Sequence, residues 1–558
     1  AARARASAYP GKLDLCAKAL AIPQKKDLAG GKLMKKLSTE GTGTEEEYER
    51  VLEYCMQDVV VEATIGMVVR DLTAEEWKDY HVCERMNDRG IPIAADLARA
   101  AQRYAEVEAA EIAKELNAAT GGAITSAKQF ARIKKWVAVK APEVMELLED
   151  EEGKVSLDRS ARTAIFESDL QISEEVREVL ELIDDAGRAS TAKYAAIENR
   201  TDTDGRLRGA YLFNGAGQTG RYSAMGFQPH NLVRDKLDNS GDVIEAVLDG
   251  ASADEVTKLS GQNMLTTLAR MLRPTIVAEN GNVLVWADYS AVEARALPWL
   301  SGTPDAEPLL DLFRKNEDVY KHAASGIYGV RADAVDKAQR QMGKIAVLAL
   351  GYQGGKNAFR KMARAYGLKI SDDEAEEIKV AWRLANPWAK TFWHDLEAAA
   401  ILAVRHPGDV AEAGRIKYLM HGDMLYALLP CGRLIAYPEV ELTEAEGKYG
   451  PQHRLTALKA SMHPKKGETA WPRVTLYGGI LAENCTQAFC ASLLRTAVRH
   501  LDDAGWPVVM HTHDEVLVEV GEDEIEEAKA ALQEAMLTNP WPDLPLAAEP
   551  EYGYSYDK

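Results

Sequence analysis

The chain has 558 residues, of which 46% are hydrophobic and 28% are charged, and this size and composition exclude a short binding module and a wholly disordered protein. The formal net charge of −20 argues on its own against a nucleic-acid partner, because phosphate-binding proteins usually carry a basic surface. The charge is uneven, however: from Phe313 to Lys369 there are 12 Lys and Arg against 4 Asp and Glu. This segment indicates either a focused anion site in an acidic body or a solvated helical face.

The six cysteines form no CxxC pair, and no histidine stands at zinc-ligand spacing from them. This pattern argues against a zinc site or a disulfide framework and favours a reducing cytoplasm. No run approaches the roughly 18 apolar residues of a membrane helix, and residues 1–15 lack the apolar core of a signal peptide. The sequence therefore predicts neither a membrane span nor export.

The first half of the chain is predicted to be mainly helical. Residues 1 to about 72 are charged and interrupted by glycine, and they end in a helical stretch, EEEYERVLEYCMQDVVVEATIGMVV. A helix followed by a strand is predicted from Glu75 to about Ile93, and the Ala-, Glu- and Lys-rich residues 95–200 predict long helices. Residues 206–235 are rich in glycine and show little periodicity.

The second half alternates strands and helices. The strand NVLVWADYS follows a turn at Asn280-Gly281, and helices are predicted to resume from 303 to 405. The last third predicts short strands at MLYALLP, RLIAYP and RVTLYGG, one helix over ILAENCTQAFCASLLRTAVRHLDDAG, and a β-pair in WPVVMHTHDEVLVEV.

Two carboxylates stand at predicted strand ends. Asp288 lies where VLVWA ends, and Asp514 lies between the apolar runs PVVM and VLVEV. Two Mg²⁺ ions about 3.5–4 Å apart can drive phosphoryl transfer, and these hard cations prefer carboxylate oxygens. The pair therefore suggests a two-metal site, although a single Asp at a strand end is more often a turn former.

A predicted helix within RADAVDKAQRQMGKIAVLALGYQGG has four side chains spaced by four residues: Arg340, Lys344, Leu348 and Tyr352. Such side chains share one slowly drifting face of a helix. Two cations, an apolar group and an aromatic ring on one face suit a ligand with a polyphosphate and a stackable base. An amphipathic helix with Tyr352 in the core is the alternative.

These segments resemble family A DNA polymerases, the group of bacterial DNA polymerase I and many phage replicases. ADYSAVEAR is similar to polymerase motif A, RQMGKIAVLALGYQGG to motif B, and HTHDEVLVEV to motif C. Further similar blocks, in the family's order from about residue 75 onwards, are SAKQF (Ser126 to Phe130), QTGRYS (Gln218 to Ser223), PHNL (Pro229 to Leu232), LPCGR (Leu429 to Arg433) and YGGILAENCTQA (Tyr477 to Ala488). The spellings LGYQGG and YGG are phage-like.

The resemblance implies an α+β, right-hand polymerase fold with an antiparallel palm sheet and helical fingers and thumb. The implied palm comprises 73–96, 200–312 and 400–558, the thumb 97–199, and the fingers 313–399. YCMQD (Tyr54 to Asp58) resembles the last motif of a DEDD-type 3′–5′ exonuclease, so residues 1–72 are expected to be a partial RNase H-like exonuclease segment. Because no upstream Asp-x-Glu motif precedes it, we expect this remnant to be inactive, as a truncated form would be.

The resemblance also implies a role for individual residues. Asp288, Asp514 and the Tyr289 carbonyl would bind two Mg²⁺ ions, with Mn²⁺ as a substitute, and Glu515 would be an auxiliary catalytic carboxylate. Lys344 would act in catalysis and, with Arg340, hold the incoming triphosphate; Glu293 would crowd a ribose 2′-OH. The remaining expected dNTP contacts are Tyr289, Ser290, Leu348, Tyr352 and Tyr320, and the expected primer–template contacts are Arg221, Asn231, Arg295, Gln487 and His513.

The sequence departs from the family at two of these positions. Leu348 stands where the family often has an aromatic residue, and Tyr320 stands where it often has histidine in the block DIH. Lys321 or His322 is therefore an alternative phosphate partner to Tyr320.

The expected activity is template-directed DNA synthesis from dNTPs, and its expected role is the replication of viral DNA in the cytoplasm of a host cell. The expected partners are primer–template DNA and dNTPs, with helicase, primase and single-strand-binding protein as accessory proteins, and the chain is expected to be a monomer. Three alternatives are a single-subunit RNA polymerase, a 3′–5′ exonuclease and a catalytically silent primer–template binding protein. Glu293 argues against the first, and only Tyr54 and Asp58 support the second. The presence of both Asp288 and Asp514 argues against the last.

Overall fold

The computed structural model describes residues 1–148, 155–157, 159–166, 168, 170, 172–186, 189–447, 450–460 and 471–558. The first 72 residues form an N-terminal helical block of α1 (Ala2–Ala6), α2 (Leu13–Ala19), α3 (Leu28–Glu40) and α4 (Glu45–Val68). A capping box at Thr44 and Glu47 starts α4, because each side chain satisfies a backbone N–H that the helix leaves unpaired. This block has a small hydrophobic core of its own around Cys16, Val61 and Ile65.

The next segment joins a helix to a long helical region. Helix α5 (Ala74–Arg89) leads into β1 (Ile91–Pro92), as the pattern before Ile93 predicts. The helices that follow are α6 (Ala95–Ala119), α7 (Phe130–Lys140), α8 (Met145–Leu148), α9 (Arg159–Phe166), α10 (Glu174–Ala186) and α11 (Lys193–Glu198). Helix α6 packs against α10 and α11, and it buries Leu97, Ile112 and Leu116 on one face. The predicted helical region of 95–200 is confirmed for those of its residues that the structure describes, and the rest of the prediction lies outside them.

Short strands and helices follow the long helices. They are β2 (Arg206–Leu207), β3 (Tyr211–Ala216), β4 (Arg221–Ala224), α12 (Ser240–Asp249), α13 (Ala253–Ser260) and α14 (Met264–Arg270). Strand β2 pairs with β1, and β3 pairs with β4. Helices α12 and α14 pack against α6, so this part of the predicted palm lies against the predicted thumb helix.

The middle of the chain begins with the predicted strand β5 (Asn282–Tyr289) and α15 (Val292–Ser301). The predicted helical region from 303 to 405 then contains α16 (Glu307–Arg314), α17 (Val319–Tyr328), α18 (Lys337–Leu350), α19 (Lys356–Ala365), α20 (Asp372–Ala385) and α21 (Pro387–Arg405). Helices α17 and α18 pack closely together, and α20 lies against both.

The last third contains two further sheets and completes the sheet that includes β5. Its elements are β6 (Val410–Ala413), β7 (Ile416–His421), β8 (Met424–Leu428), β9 (Leu434–Pro438), β10 (Glu441–Gly447), β11 (Gly450–Leu458), β12 (Arg473–Leu476), α22 (Gly478–Asp503), β13 (Val508–His511), β14 (Glu515–Gly521), α23 (Ile525–Leu537) and β15 (Ala548–Gly553). Strands β6 to β9 form one antiparallel sheet, and β10 to β12 form another.

The central sheet has the order β13-β14-β5-β15, and all its pairs are antiparallel. Its inner strands β5 and β14 are almost wholly buried, as their nearly continuous apolar sequences require. Helix α22 packs on β13 and β14, and α23 packs on β5 and β15. The sheet is therefore covered by helices, and one large hydrophobic core runs from Leu72 to Tyr556.

One expectation about elements was wrong. The last third has a second long helix, α23, where only one was predicted; Ala528, Leu532 and Met536 recur on its buried face at helical spacing. The glycine-rich residues 206–235 contain three short strands. Within the described ranges, no helix is both long enough and apolar enough to span a membrane.

Candidate active site

The two predicted carboxylates lie side by side at one end of the central sheet. Asp288 is in β5 directly opposite Glu515 of β14, and Asp514 occupies the turn before β14. The backbone N–H of Tyr289 donates to the Asp514 carbonyl oxygen at 2.8 Å. Since β5 and β14 are rigid, buried strands, this register fixes the two carboxylates relative to each other.

The electrostatics of the pair agree with this placement. Burial, and next the charge of Asp288, raise the pKa of Asp514 to about 6. A neighbouring carboxylate disfavours a second negative charge, and a bound cation would relieve that repulsion. The pair is therefore an anionic site that suits a cation.

Glu515 is buried, and the residues that hold it were missed by the sequence reasoning. Its Oε2 accepts a hydrogen bond from the Tyr556 hydroxyl at 2.6 Å, and its Oε1 lies 3.2 Å from the Lys558 Nζ. The same Nζ donates to Asp288 Oδ1 at 2.8 Å. Neither Tyr556 nor Lys558 lies in a recognisable motif, and only the fold brings them to the carboxylates.

The donor set of this site suits a divalent metal of the Mg²⁺ type. Asp288 and Asp514 offer carboxylate oxygens and Tyr289 a carbonyl oxygen, which are the ligands that hard cations prefer. In the described part of the chain, no three His, Cys, Asp or Glu side chains form a ready metal-binding group. A two-carboxylate site of this kind agrees with Mg²⁺ centres that substrate phosphates and water complete.

Helix α18 presents the predicted cationic face. Asp336 caps its first turn through the backbone N–H of Gln339, and Arg340, Lys344 and Leu348 follow at steps of four. The helix ends at Leu350, so the prediction that it includes Tyr352 was wrong; Tyr352 lies in the turn that follows. That turn leads to Gly354 and Gly355, residues that favour helix termination.

The guanidinium of Arg340 already has an anionic partner. It forms an ion pair with the Asp318 carboxylate, and it lies 5.5 Å from the centre of the Tyr320 ring. Burial alone would raise the pKa of Asp318, but the hydrogen bond from Arg340 lowers it overall. Lys344 lies over the Tyr366 ring at 5.8 Å. The predicted contact between Arg340 and a triphosphate would therefore require exchange of one anion for another.

Glu293, the predicted 2′-OH discriminator, joins two other predicted site residues. One of its oxygens pairs with the Arg221 guanidinium, and the other accepts a hydrogen bond from the Tyr352 hydroxyl at 2.6 Å. Burial and the Glu293 charge raise the pKa of Tyr352 well above its usual value. These three residues and Leu348 come from β4, α15, and α18 with the turn after it. Glu293, Leu348 and Tyr352 line a cavity of about 710 Å³ between α15, α17, α18 and α20.

The half-buried Arg433 and the buried Arg495, for which the sequence reasoning predicted no role, hold the turn before Arg221. Arg433 and Arg495 both donate to the Asn214 side-chain oxygen and to the Gly220 carbonyl. Burial and the neighbouring Arg495 lower the pKa of Arg433. Because Gly220 directly precedes Arg221, this network fixes where the Arg221 side chain begins.

The other predicted contacts have different surroundings. His513 is exposed and stacks on His230 at 5.0 Å, Asn231 and Ser290 are exposed, and Gln487 donates to Glu483 at 3.1 Å. Arg295 is 6% exposed and donates to the carbonyls of Ser290 and Pro545. Its Nε and Nη1 therefore bond to backbone carbonyls inside the fold, and its expected contact with DNA stays a prediction.

The exonuclease-like residues lie in α4, away from these carboxylates. Tyr54 is buried, and the Asp58 carboxylate lies 3.4 Å from Lys26. The other Asp58 oxygen is buried without a hydrogen-bond partner. A single carboxylate that faces a lysine is not a two-metal centre.

Comparisons with known proteins show which family the chain is similar to. The family model for DNA polymerase family A matches residues 254–402, a range that includes Asp288, Glu293, Arg340 and Tyr352. The DNA polymerase of Bacillus phage SP02 is 32% identical over 97% of this chain and 82% of its own length. DNA polymerase I of Pseudomonas aeruginosa is 25% identical over 52% of this chain and 27% of its own length.

The fold is also similar to that of a solved structure. The POL domain of Pol1 from M. smegmatis, in complex with DNA primer-template and dNTP, superposes with a TM-score of 0.60. The match covers 97% of this chain and 81% of that one, at 19% sequence identity.

Proposed function

This chain belongs to the family A DNA polymerases, and from that membership we propose that its active site is the carboxylate pair Asp288 and Asp514 with the cationic face of α18. The enzyme carries out template-directed DNA synthesis, and its phage relative supports a role in viral DNA replication. The observation that carries the site assignment is the register of β5 and β14, which brings Asp288 beside Asp514.

The carboxylates and the Tyr289 carbonyl would hold two divalent ions, Mg²⁺ or its substitute Mn²⁺. Such ions, when bound, supply charge stabilisation for the attacking and leaving oxygens of an in-line phosphoryl transfer. Asp288 and Asp514 position that charge, and Glu515 stays hydrogen-bonded to Tyr556 behind them. The primer end and the incoming dNTP are the substrates that this site would receive.

The face of α18 would bind the triphosphate. Arg340 is a planar, permanently charged group suited to two phosphate oxygens, and Lys344 is a compact point charge one turn further on. Release of Arg340 from Asp318 would accompany nucleotide binding. Tyr320, against which Arg340 lies, would keep the guanidinium near the phosphates, with Lys321 and His322 as alternative partners.

The sugar and base would lie beyond Lys344. Glu293, held by Arg221 and Tyr352, would crowd a ribose 2′-OH, and Tyr352 would stack near the templating base. Leu348 and Ser290 would complete the nucleotide contacts. The primer–template would reach His513, Gln487, Asn231 and the outer part of Arg221.

We also propose an assignment of domains. The palm would comprise 73–96, 200–312 and 400–558, the thumb 97–199 and the fingers 313–399, and residues 1–72 would be related to the end of a DEDD-type exonuclease domain. The pairing of Asp58 with Lys26 supports the view that this segment does not hydrolyse DNA. We further propose action as a monomer in the cytoplasm of a host cell, beside a helicase, a primase and a single-strand-binding protein.

The test is primer extension with Mg²⁺ and dNTPs, with NTPs as the competing substrate class. Asp288→Ala and Asp514→Ala should each lower the extension rate by orders of magnitude while primer–template affinity stays nearly unchanged, because charge stabilisation rather than a DNA contact is lost. Asp249→Ala, at an exposed helix end, is the matched control. Near-normal extension by either active-site variant would refute the site assignment. Degradation of a 3′ end that stops only in Asp58→Ala would refute the proposal that residues 1–72 do not hydrolyse DNA.

A further inference from the structure

The side chain of Lys558 lies between two carboxylates of the central sheet. Its Nζ is 2.8 Å from Asp288 Oδ1 and 3.2 Å from Glu515 Oε1. The Lys558 side chain is 25% exposed, and that of Glu515 is 6% exposed. The ammonium group thus bridges one proposed metal ligand and the buried carboxylate beside it.

The two residues that directly precede Lys558 are anchored in the fold. The Tyr556 ring is fully buried, and its backbone N–H donates to the Ile276 carbonyl at 2.9 Å. The next residue, Asp557, accepts a hydrogen bond from the Ser240 hydroxyl at 2.7 Å. Arg273 lies over the Tyr556 ring at 5.1 Å. The Lys558 side chain therefore starts from a fixed backbone rather than from a loose segment.

An ammonium group and a divalent ion make opposing demands on Asp288. The ammonium is a compact cation with three N–H donors, and it uses carboxylate lone pairs that a hard cation also requires. Two cations close to one carboxylate repel each other. An ion that takes Asp288 as a ligand must therefore weaken or replace the contact with Lys558.

The Lys558 ammonium has a second function, which is to offset repulsion between the carboxylates around the buried Glu515. Asp288, Asp514 and Glu515 bring three negative charges to one end of the sheet, and like charges at such distances destabilise one another. Lys558 offsets part of that repulsion. Glu515 has a second partner in Tyr556, so it can retain a hydrogen bond when the ammonium moves.

We propose that Lys558 is a positioning residue that serves as an internal counter-cation of the catalytic carboxylates. It holds Asp288 and Glu515 when no divalent ion is bound, and it gives up Asp288 when an ion binds. The inference rests on the proposed function, since it takes Asp288 as a metal ligand. Lys558, as well as the ligands, would then determine how tightly the ion binds.

The first test measures Mn²⁺ binding to the whole chain without DNA or dNTP, by the loss of the electron paramagnetic resonance signal of free Mn²⁺. Lys558→Met removes the competing charge, so Mn²⁺ should bind roughly two- to fivefold more tightly, the range for one partly exposed charge pair. Lys558→Arg keeps the charge and should bind as the parent does. Lys529→Met is the matched control, because Lys529 is also 25% exposed and pairs with Glu526.

The second test compares melting temperatures in EDTA and in saturating Mn²⁺. Lys558→Met should lower the melting temperature in EDTA, where the carboxylates lose their counter-charge, and should regain most of the loss in Mn²⁺. A merely structural contact would lower the melting temperature equally in both conditions. Equal losses, or an unchanged or weaker Mn²⁺ affinity of Lys558→Met, would overturn the inference.

The same titrations separate this inference from the proposed function. If Asp288→Ala and Asp514→Ala bind Mn²⁺ as tightly as the parent does, the metal-site assignment itself is contradicted. If those two variants abolish Mn²⁺ binding but Lys558→Met binds Mn²⁺ as the parent does, only the role of Lys558 is contradicted.

Discussion

Glu293 is held from two sides, by the Arg221 guanidinium and by the Tyr352 hydroxyl, so its carboxylate has a fixed position. We expect Glu293→Ala to raise the efficiency of ribonucleotide insertion relative to deoxynucleotide insertion by roughly tenfold or more, because space opens beside the sugar. Single-nucleotide insertion kinetics with paired dNTP and rNTP measure this ratio.

Glu293→Gln is the control for this experiment. Glutamine keeps the volume and loses the charge, so it should retain most of the sugar discrimination if crowding is the cause. If Glu293→Ala leaves the ratio of rNTP to dNTP insertion efficiency unchanged, the contact that discriminates between the sugars lies elsewhere.

Leu348 is only half-buried and borders the cavity that Glu293 and Tyr352 also line. An aliphatic side chain offers no hydroxyl to a nucleotide that lacks its own 3′-OH. We expect the parent to reject dideoxynucleotides and Leu348→Tyr to accept them roughly tenfold better or more. The measurement is the ratio of ddNTP to dNTP insertion efficiency.

Leu348→Phe separates the hydroxyl from the ring, because it fills nearly the same space without the oxygen. It should behave more like the parent than Leu348→Tyr does. If the tyrosine variant has an unchanged ratio and a lowered melting temperature, Leu348 is a packing residue, overpacked at a cost of about 1–3 kcal/mol.

His511 is a buried, neutral histidine close to the active site. Burial lowers its pKa to about 4, and the groups that face it are His230, His513, Tyr211, Tyr222 and Arg495. Because the folded pKa lies below the unfolded value of about 6.5, the unfolded chain binds the proton first on acidification. Stability is therefore fully present above about pH 6.5 and falls as the pH falls towards 4.

The share of His511 in this loss should be about 3 kcal/mol. We expect the free energy of unfolding of His511→Asn, measured with urea from pH 7 to 4.5, to fall less steeply than that of the parent. The lowered pKa of His230 leaves a residual slope in both proteins. Parallel pH profiles would contradict the assignment of the neutral state to His511.

At the residue scale, sequence reasoning found the residues that lie in short motifs and missed those placed by the fold. Asp288 and Asp514 each end an apolar run, so their positions at strand ends follow from the pattern. Lys558 and Arg495 have no such local signal. The partner of Arg340 was missed because Asp318 caps the start of another helix, α17, 22 positions earlier.

The packing of α17 on α18 depends on one glycine. A Cβ atom at Gly343 would overlap the Tyr320 carbonyl oxygen and lie 3.0 Å from the Ala324 nitrogen. We expect Gly343→Ala to separate the two helices, to lower stability by about 1–3 kcal/mol, and to weaken dNTP affinity, since Tyr320 and Arg340 would move apart. Thermal unfolding and dNTP titration measure the two effects.

Gly326 in α17 provides the control for Gly343→Ala. A Cβ atom there would meet only the Ala385 methyl group at an ordinary 3.7 Å, and alanine favours a helix by about 1 kcal/mol over glycine. Gly326→Ala should therefore be neutral or stabilising. Equal effects of the two substitutions would show that close packing at Gly343 has no special role.

At the element scale, long periodic segments were predictable and their ends were less so. Helix α18 was expected through Tyr352 but ends at Leu350, because the chain turns at Gly351 to Gln353, where Gln353 has a positive φ of 62°. Helix α23 was overlooked because its first turns, EIEEAKAA, are mostly charged or small. Its buried face becomes evident only when β5 and β15 are known to lie beneath it.

On the scale of the whole molecule, a chain with net charge −20 must bind a polyanion through local surfaces. Part of the basic segment 313–369 is already paired, Arg340 with Asp318 and Arg360 with Asp372. We still expect primer–template affinity to fall by roughly a hundredfold between 50 and 200 mM salt, because several phosphates would release counterions. Fluorescence anisotropy with a labelled duplex measures this, and a flat dependence would contradict binding through this basic surface.

The order of the central sheet has a consequence for how the enzyme comes into being. Asp288 and Lys558 meet across 270 positions of the chain, and β5 pairs with strands that are synthesised much later. Contacts of such long sequence separation form slowly, since a large loop must close before they contribute stability. On the ribosome, β5 would emerge with both of its edges unpaired, so the nascent chain remains catalytically silent and open to aggregation until β14 and β15 follow.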